Sequence, residues 1–306
     1  MRIGLCLDPG RPWSDLATLA RRADDAGWDS LYVCDHFMPA DPSGPGRLAP
    51  MFEGWTTLSA LAAITTRVRL GPLVLGNGYR HPAVVANMAA TFDHVSAGRL
   101  VLGIGAGWQE NEHLAYGIDL PGVRERLDRF AEACAVLVGL LHHPPLTFDG
   151  TYYRLRDAPC DPRPVQPHLP ILIGGGGERR TMRIAAEWAD EWHDWTDPET
   201  FRRKSAVLDG HCADVGRDPS TIRRLTGQVV EVLTTPGRGR RPADDESSSD
   251  VVGTRDQVVE QLVGYRDAGV DEFVVCDTHD QPLEQALGMV DALGGYAVPV
   301  LRTSSD

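Results

Sequence analysis

Short apolar runs alternate with longer amphipathic stretches along this chain, and the apolar runs carry few polar interruptions. Runs of that kind read as strands covered on both faces, and stretches with a 3.6-residue apolar period read as helices packed on them. The pattern predicts strands over residues 2–7, 29–34, 68–75, 100–104, 170–173, 191–195, 225–233 and 272–276. Helices are predicted over 14–26, 55–65, 82–95, 123–141, 179–189, 198–215, 255–268 and 282–293. Local signals agree with these bounds: Ser14 as an N-cap, Gly27 as the C-cap of the same helix, and Gly269 closing the seventh. The unit DAGWDSLYV at 25–33 returns as DAGVDEFVV at 267–275, as expected of a fold assembled from equivalent β/α units. Eight such units predict an α/β fold, a (β/α)8 TIM barrel formed as one domain over residues 1–306. A doubly wound open sheet is the structural alternative, although its two-layer logic does not call for eight units.

Three segments interrupt the alternation and read as loop insertions. Residues 36–54, rich in Pro and Gly, suggest a lid-type loop after the second strand. Residues 144–168 contain LTFDGTYYRL, where Asp149-Gly150 between apolar residues signals a hairpin. The polar, low-complexity stretch 234–250 reads as a disordered loop.

Composition narrows the class. In 306 residues, 30 basic against 43 acidic side chains give a net charge of −13, which argues against nucleic acid or an anionic membrane as a bulk partner. The six cysteines form no C-x-x-C and no metal-ligand spacing, so reduced thiols are expected. The chain starts on a strand, without a basic-apolar leader, and no apolar run reaches membrane-spanning length. A soluble cytoplasmic protein is expected. G-x-S-x-G, P-loop and H-E-x-x-H motifs are missing, which makes triad hydrolysis and zinc hydrolysis poor readings.

The stretch 100–112, LVLGIGAGWQENE, carries the most chemical information. Gly103, Gly105 and Gly107 recur at every second residue, and Glu110 stands where a dinucleotide fingerprint needs its third glycine. The glycines read either as room for a flat ligand at the strand end or as a tight turn with no ligand. In a β/α barrel, ligands meet the C-terminal ends of the strands. That rule gathers Asp35 and His36; Leu73, Val74, Asn77, Tyr79, Arg80 and His81; Gly107, Trp108 and Asn111; and Gly174, Gly175, Gly176 and Gly177. Asp35-His36 is a candidate acid/base pair, with a capping Asp and a packed His as the alternative. Four glycines before a helix suit a phosphate, with Arg179 and Arg180 as countercharge or as plain surface residues. Trp108, Trp192 and Trp195 could wall an aromatic ligand or fill the core. No metal site is expected.

Taken together, Asp35-His36, the segment RLGPLVLGNGYRHPAVVANMAATFDHVSAGRLVLGIGAGWQENEHLAYGI and the segment PILIGGGGERRTMRIAAEWADEW resemble the luciferase-like superfamily of flavin and deazaflavin oxidoreductases. The branch that uses coenzyme F420 is the most similar, over Arg2 to about Trp195. The resemblance implies a TIM barrel with the cofactor ring across the strand ends, His36 facing its reactive part and Asp35 positioning His36. It implies a non-prolyl cis peptide at Leu73-Val74 behind the ring. Asn77, Gly107, Trp108 and Asn111 would contact the cofactor, and the 174–177 turn would hold its phosphate. The implied activity is reversible hydride transfer between the deazaflavin F420 and a small organic substrate. An FMN-dependent monooxygenase and a non-catalytic flavin-binding protein stand as alternatives. A homodimer is left open, since relatives commonly pair through barrel helices. Two departures stand out: Trp108 replaces an acidic residue of the group's sugar-phosphate dehydrogenases, and His193 replaces an asparagine.

Overall fold

A computed structural model describes residues 1–39, 50–233 and 250–302. Eight parallel strand positions surround a central axis. They are β1 (Arg2–Leu7), β2 (Ser30–Val33), β3 (Arg69–Pro72) continued by β4 (Leu75–Gly76), and β5 (Leu102–Gly105). β6 (Leu146–Asp149) and β7 (Arg154–Ala158) form a separate antiparallel hairpin. β8 (Ile171–Gly174), β9 (Glu191–His193), β10 (Arg223–Val232) and, after the short β11 (Val251–Gly253), β12 (Glu272–Cys276) complete the barrel. The order is β3-β2-β1-β12-β10-β9-β8-β5-β4, and a parallel bridge between Leu70 and Leu100 brings the two ends together. The TIM-barrel expectation holds, with the third strand in two pieces.

The helices are α1 (Trp13–Ala26), α2 (Gly54–Ile64), α3 (Pro82–Val95), α4 (Glu110–Tyr116), α5 (Val123–His142), α6 (Thr181–Trp188), α7 (Pro198–Val215), α8 (Arg255–Asp267), α9 (Leu283–Ala292) and α10 (Val298–Arg302). They cover the strands with a continuous apolar layer that includes Leu5, Leu58, Ala89, Leu137 and Phe201. A smaller cluster, Tyr32, Leu73, Val101, Leu172, Leu225 and Val274, fills the barrel itself. Its N-terminal end is closed by polar groups: Tyr32 donates to Glu272 at 2.9 Å and Arg69 pairs with Glu191 at 2.5 Å. That floor leaves the opposite, C-terminal end open.

Local corrections have local causes. Ser14 does not cap α1; the helix begins at Trp13 behind Pro12, and the Ser14 hydroxyl turns to Asp15. Gly27 takes φ +92 as the C-cap, as its lack of a Cβ permits. The hairpin forms, but as a four-residue loop from Gly150 to Tyr153, because Glu132 on α5 accepts the N–H groups of Thr151, Tyr152 and Tyr153. The glycine run does not open a helix directly: residues 178–180 form a turn, and α6 starts at Thr181. The short helix α4 was not foreseen, since seven residues give too little period to read. Of the expected insertions, residues 40–49 of the second loop and residues 234–249 lie outside the described residues.

The peptide bond Leu73-Val74 is cis, as the resemblance implies. It separates β3 from β4 and turns Val74 toward the glycines of the neighbouring strands. A Cβ built at Gly105 would stand 2.8 Å from Val74 Cγ2, and one at Gly174 would stand 2.9 Å from both Val74 methyls. One at Gly103 would overlap the Pro72 carbonyl oxygen. These glycines make room for the strand break, and Gly105 and Gly174 also line the cavity at the barrel end. Gly103→Ala is expected to lower unfolding free energy by about 2 kcal/mol or more, since the obstructing atom is backbone. Urea denaturation of the two proteins measures the difference, and equal midpoints and slopes would contradict it.

Candidate active site

At the C-terminal end of the barrel lies a cavity of about 670 Å³, a size suited to a cofactor or drug-like molecule. Asp35, His36, Leu73, Val74, Gly107, Trp108, Gly174, Gly175 and Gly177 line it, together with Arg126, Thr181, His193 and Trp195. The wall is mainly apolar, and polar groups converge at a few points.

The best-defined of these points is a buried carboxylate. Glu112, on α4, has no solvent exposure and accepts from three directions: His36 Nδ1 at 2.8 Å, the Phe37 N–H at 2.8 Å, and the Tyr79 hydroxyl. Burial opposes its charge, yet these bonds hold its carboxyl below the ordinary glutamate range. Burial and the same carboxylate push the Tyr79 phenol up, so it stays a donor. With Glu112 ionised, the His36 Nδ1 proton faces it, and Nε2 is left as the ring nitrogen with no protein partner among the described residues. Trp108 meets the same imidazole edge-on, with ring centroids 5.5 Å apart. The arrangement is a histidine held in one tautomer at a cavity wall, able to take or give a proton there.

Asp35 does not orient His36. Its two oxygens accept from Arg80 at 2.7 and 2.9 Å and from the Gly76 N–H at 3.0 Å. Arg80 also pairs with Glu53 at 2.5 Å, and Glu53 caps α2 by accepting from Trp55 and Thr56. Asp35 therefore ties the ends of β2, β4 and α2 together behind the cavity. Sequence adjacency pointed to the wrong carboxylate. The partner, Glu112, stood in the glycine-rich segment already singled out, but it reaches His36 only once α4 folds back across the second loop.

The other candidates divide. Gly107 takes φ +82 and lines the cavity; Trp108 lines it while 61% exposed. Asn111 does not line it: its side chain donates to the Pro39 carbonyl at 2.9 Å and accepts the Glu112 N–H, which pins the second loop to α4. Asn77 lies in an adjoining groove, donating to the Tyr153 hydroxyl at 3.4 Å. In the 174–177 turn, Gly176 faces away and packs against the Asp194–Lys204 ion pair, where a Cβ would not fit. Lys204 is the only lysine in the sequence. Trp192 is fully buried under the turn and donates to the Gly175 carbonyl at 3.1 Å, whereas Trp195 lines the cavity. Arg180 is engaged with Asp128 at 2.5 Å. Among the described residues no group of His, Cys, Asp and Glu could hold a metal ion, and all six cysteines are free thiols.

His193 lies in the cavity wall, 3% exposed, edge-on to Trp195 at 4.3 Å, with Nε2 unpartnered. Burial pushes its imidazole down to about 3, so it stays neutral while the same residue in the unfolded chain takes a proton below about 6.5. The unfolded state then binds more protons, and stability falls as pH drops through that window. Relative to His193→Asn, the wild type is expected to lose an extra ~2 kcal/mol between pH 7 and 4.5. Urea melts at the two pH values measure this, and equal acid losses would refute a buried neutral imidazole.

Comparison with known proteins places this geometry in a family. The family model described as luciferase-like monooxygenase matches residues 1–238. The F420-dependent glucose-6-phosphate dehydrogenase of Microbacterium testaceum is 36% identical over 317 residues, covering 92% of this chain and 91% of that protein. The protein of the same name from Kineococcus radiotolerans is 40% identical over 166 residues, 53% of this chain and 47% of that one, so the match spans about half of that relative. A solved F420-dependent secondary alcohol dehydrogenase, in complex with an F420-acetone adduct, superposes with a TM-score of 0.83 at 20% identity, covering 98% of this chain and 99% of that one. That last likeness establishes the barrel, and among the described residues no helix is long and apolar enough to cross a membrane. With most of its length matched by the family model, and a relative 36% identical across nearly the whole of both chains, this chain belongs to the luciferase-like monooxygenase family.

Proposed function

We propose that this protein is an oxidoreductase that uses coenzyme F420 to move hydride to or from a small organic carbonyl or alcohol. The observation that carries the proposal is His36, fixed by Glu112 at the wall of a ligand-sized cavity beside the Val74 bulge. The names of the relatives matched over nearly their whole length and over about half of it support the choice of cofactor.

The residues present fit such a group. The cavity offers an apolar floor at Leu73 and Val74, and Trp108 and Trp195 as flat walls. At the β8 end, Gly177 and Thr181 line the cavity next to the N-terminus of α6, where a phosphate would be held. Bound there, a deazaflavin supplies a carbon that accepts or donates hydride. His36 Nε2 takes the hydroxyl proton when an alcohol is oxidised and returns it when a carbonyl is reduced. Glu112 keeps the imidazole in the tautomer this requires. Trp108 in place of an acidic residue points away from a sugar phosphate and toward a less polar substrate. We place the enzyme in the cytoplasm, in keeping with its free thiols. We also propose a homodimer: Trp55, Val84, Met88, Phe92 and Val95 line an apolar groove of about 420 Å³ on α2 and α3, suited to a second copy of this face.

Titrating the apo protein with F420 and with FMN tests the cofactor. Micromolar F420 binding is expected, and FMN binding with none for F420 would favour the monooxygenase reading. His36→Ala is expected to keep F420 affinity within about twofold while lowering turnover at least a hundredfold. Glu112→Gln is expected to lower turnover at least tenfold while leaving F420 affinity within about twofold, since a neutral amide no longer fixes the imidazole tautomer as the carboxylate does. If no acceptor is reduced by the wild type and His36→Ala changes nothing, the protein binds its cofactor without turnover.

A further inference from the structure

Trp195 owes its position to the strand next to its own. Just past the end of β9, the Asp194 N–H donates to the Leu225 carbonyl at 3.3 Å. The Thr196 N–H donates to the buried Thr226 hydroxyl at 3.3 Å, and that hydroxyl donates to the Thr196 carbonyl at 3.2 Å. The chain on both sides of Trp195 is thus clipped to β10. Gly227 receives the indole: it shares the inward face of β10 with Leu225, and a Cβ built on it would stand 2.6 Å from Trp195 Cζ3. His193 meets the indole edge-on, at an interplanar angle of 81°, so the plane of the ring is fixed by its neighbours.

Its exposure does not suit a packing role. Trp28 and Trp192 are almost wholly buried, whereas Trp195 leaves 48% of its surface open while lining the cavity. A large aromatic face that is held rigid and left uncovered in a pocket is a binding surface. Around the barrel, β10 lies four positions from the β3–β4 strand in either direction. Trp195 therefore looks across the cavity at the Leu73-Val74 bulge.

The charges near this wall are already matched. Lys204 pairs with Asp194 at 2.5 Å, Arg11 with Asp277 at 2.6 Å and His279 with Asp8 at 2.7 Å. Burial keeps the His193 imidazole neutral and the Cys6 and Cys34 thiols, which also line the cavity, protonated. Among the described lining residues Arg126 is the only arginine or lysine, and it stands on α5.

We propose that Trp195 is the stacking platform for the substrate, and that the substrate is a flat, uncharged carbonyl compound, an aryl ketone or aldehyde, or the matching benzylic alcohol. An aryl ring gains an offset or edge-on contact with the indole that a saturated ring of the same size lacks. A phosphate or carboxylate would lose its water at this wall without gaining a partner. The inference rests on the F420 reading for its chemistry: the carbonyl carbon gains hydride from the reduced deazaflavin, and its oxygen gains the proton held by His36.

The test separates the platform from that reading. Binding is measured by calorimetry, with and without F420, for 2-acetylnaphthalene, its ring-hydrogenated analogue, the same ketone carrying a 6-carboxylate, and glucose 6-phosphate. Turnover is followed by oxidation of reduced F420. The wild type is expected to bind the flat ketone about tenfold tighter than the hydrogenated one and at least tenfold tighter than the carboxylate. Trp195→Leu is expected to lose the preference for the flat ring while changing affinity for the hydrogenated analogue by less than about twofold, and Trp195→Phe to keep part of the preference. Equal affinities for the two ketones in the wild type, a preference that survives Trp195→Leu, no binding of either ketone, or tighter binding of glucose 6-phosphate overturns the platform. If the preference depends on Trp195 but no hydride passes from reduced F420 to the bound ketone, the hydride-transfer reading falls and the platform stands. If saturated ketones are reduced as fast as flat ones in wild type and Trp195→Leu alike, the platform falls and the reading stands.

Discussion

Val74 can occupy its place only because three glycines on neighbouring strands lack a Cβ. Side chains at 105 or 174 would meet its methyls below ordinary contact distance, and one at 103 would collide with the Pro72 carbonyl. With that space free, the third barrel strand breaks, pairs with β2 before the break and with β5 after it, and so joins the two ends of the sheet. The same break presents Leu73 and Val74 to the cavity. Barrel closure and the cavity floor thus depend on one packing requirement, and protein interiors are too dense to satisfy it with larger residues.

Around that floor, the loops are held by buried carboxylates whose desolvation is offset by specific partners. Asp35 with Arg80 and Glu53 joins β2, β4 and α2. Arg11 with Asp277, at 2.6 Å and almost fully buried, joins the loop after β1 to the loop after β12. Glu112 does the same for the loop after β2 and α4, with His36 and Tyr79 as its partners. Such pairs are weak sources of stability, because the Coulombic gain mainly repays dehydration. Their effect is geometric: each fixes where a loop leaves the barrel. Of these three carboxylates, Glu112 alone spends bonds on side chains that also face the cavity, His36 and Tyr79, and that difference gives the site its chemistry.

Much of this was written along the chain. Apolar runs and amphipathic stretches located all eight barrel strands and the eight long helices, because burial on both faces of a strand and on one face of a helix leaves a periodic trace. Strand ends then gave the short set of positions from which the cavity is built, including His36, Val74, Gly107 and Trp108. Features a few residues long were less legible. α4 carries less than two apolar periods, the α1 cap was displaced by Pro12, and the hairpin loop was set by a glutamate on a distant helix.

The sequence by itself determined the fold class, the end of the barrel that carries the site, and the residue types available there, since periodicity and strand-end position are local properties. Only the tertiary structure decided who meets whom. It gave His36 to Glu112 rather than to its neighbour Asp35, turned Asn111 from the cavity to the Pro39 carbonyl, and assigned three of the glycines to Val74. Those choices depend on residues brought together from separate β/α units, where distance along the chain carries no information about distance in space.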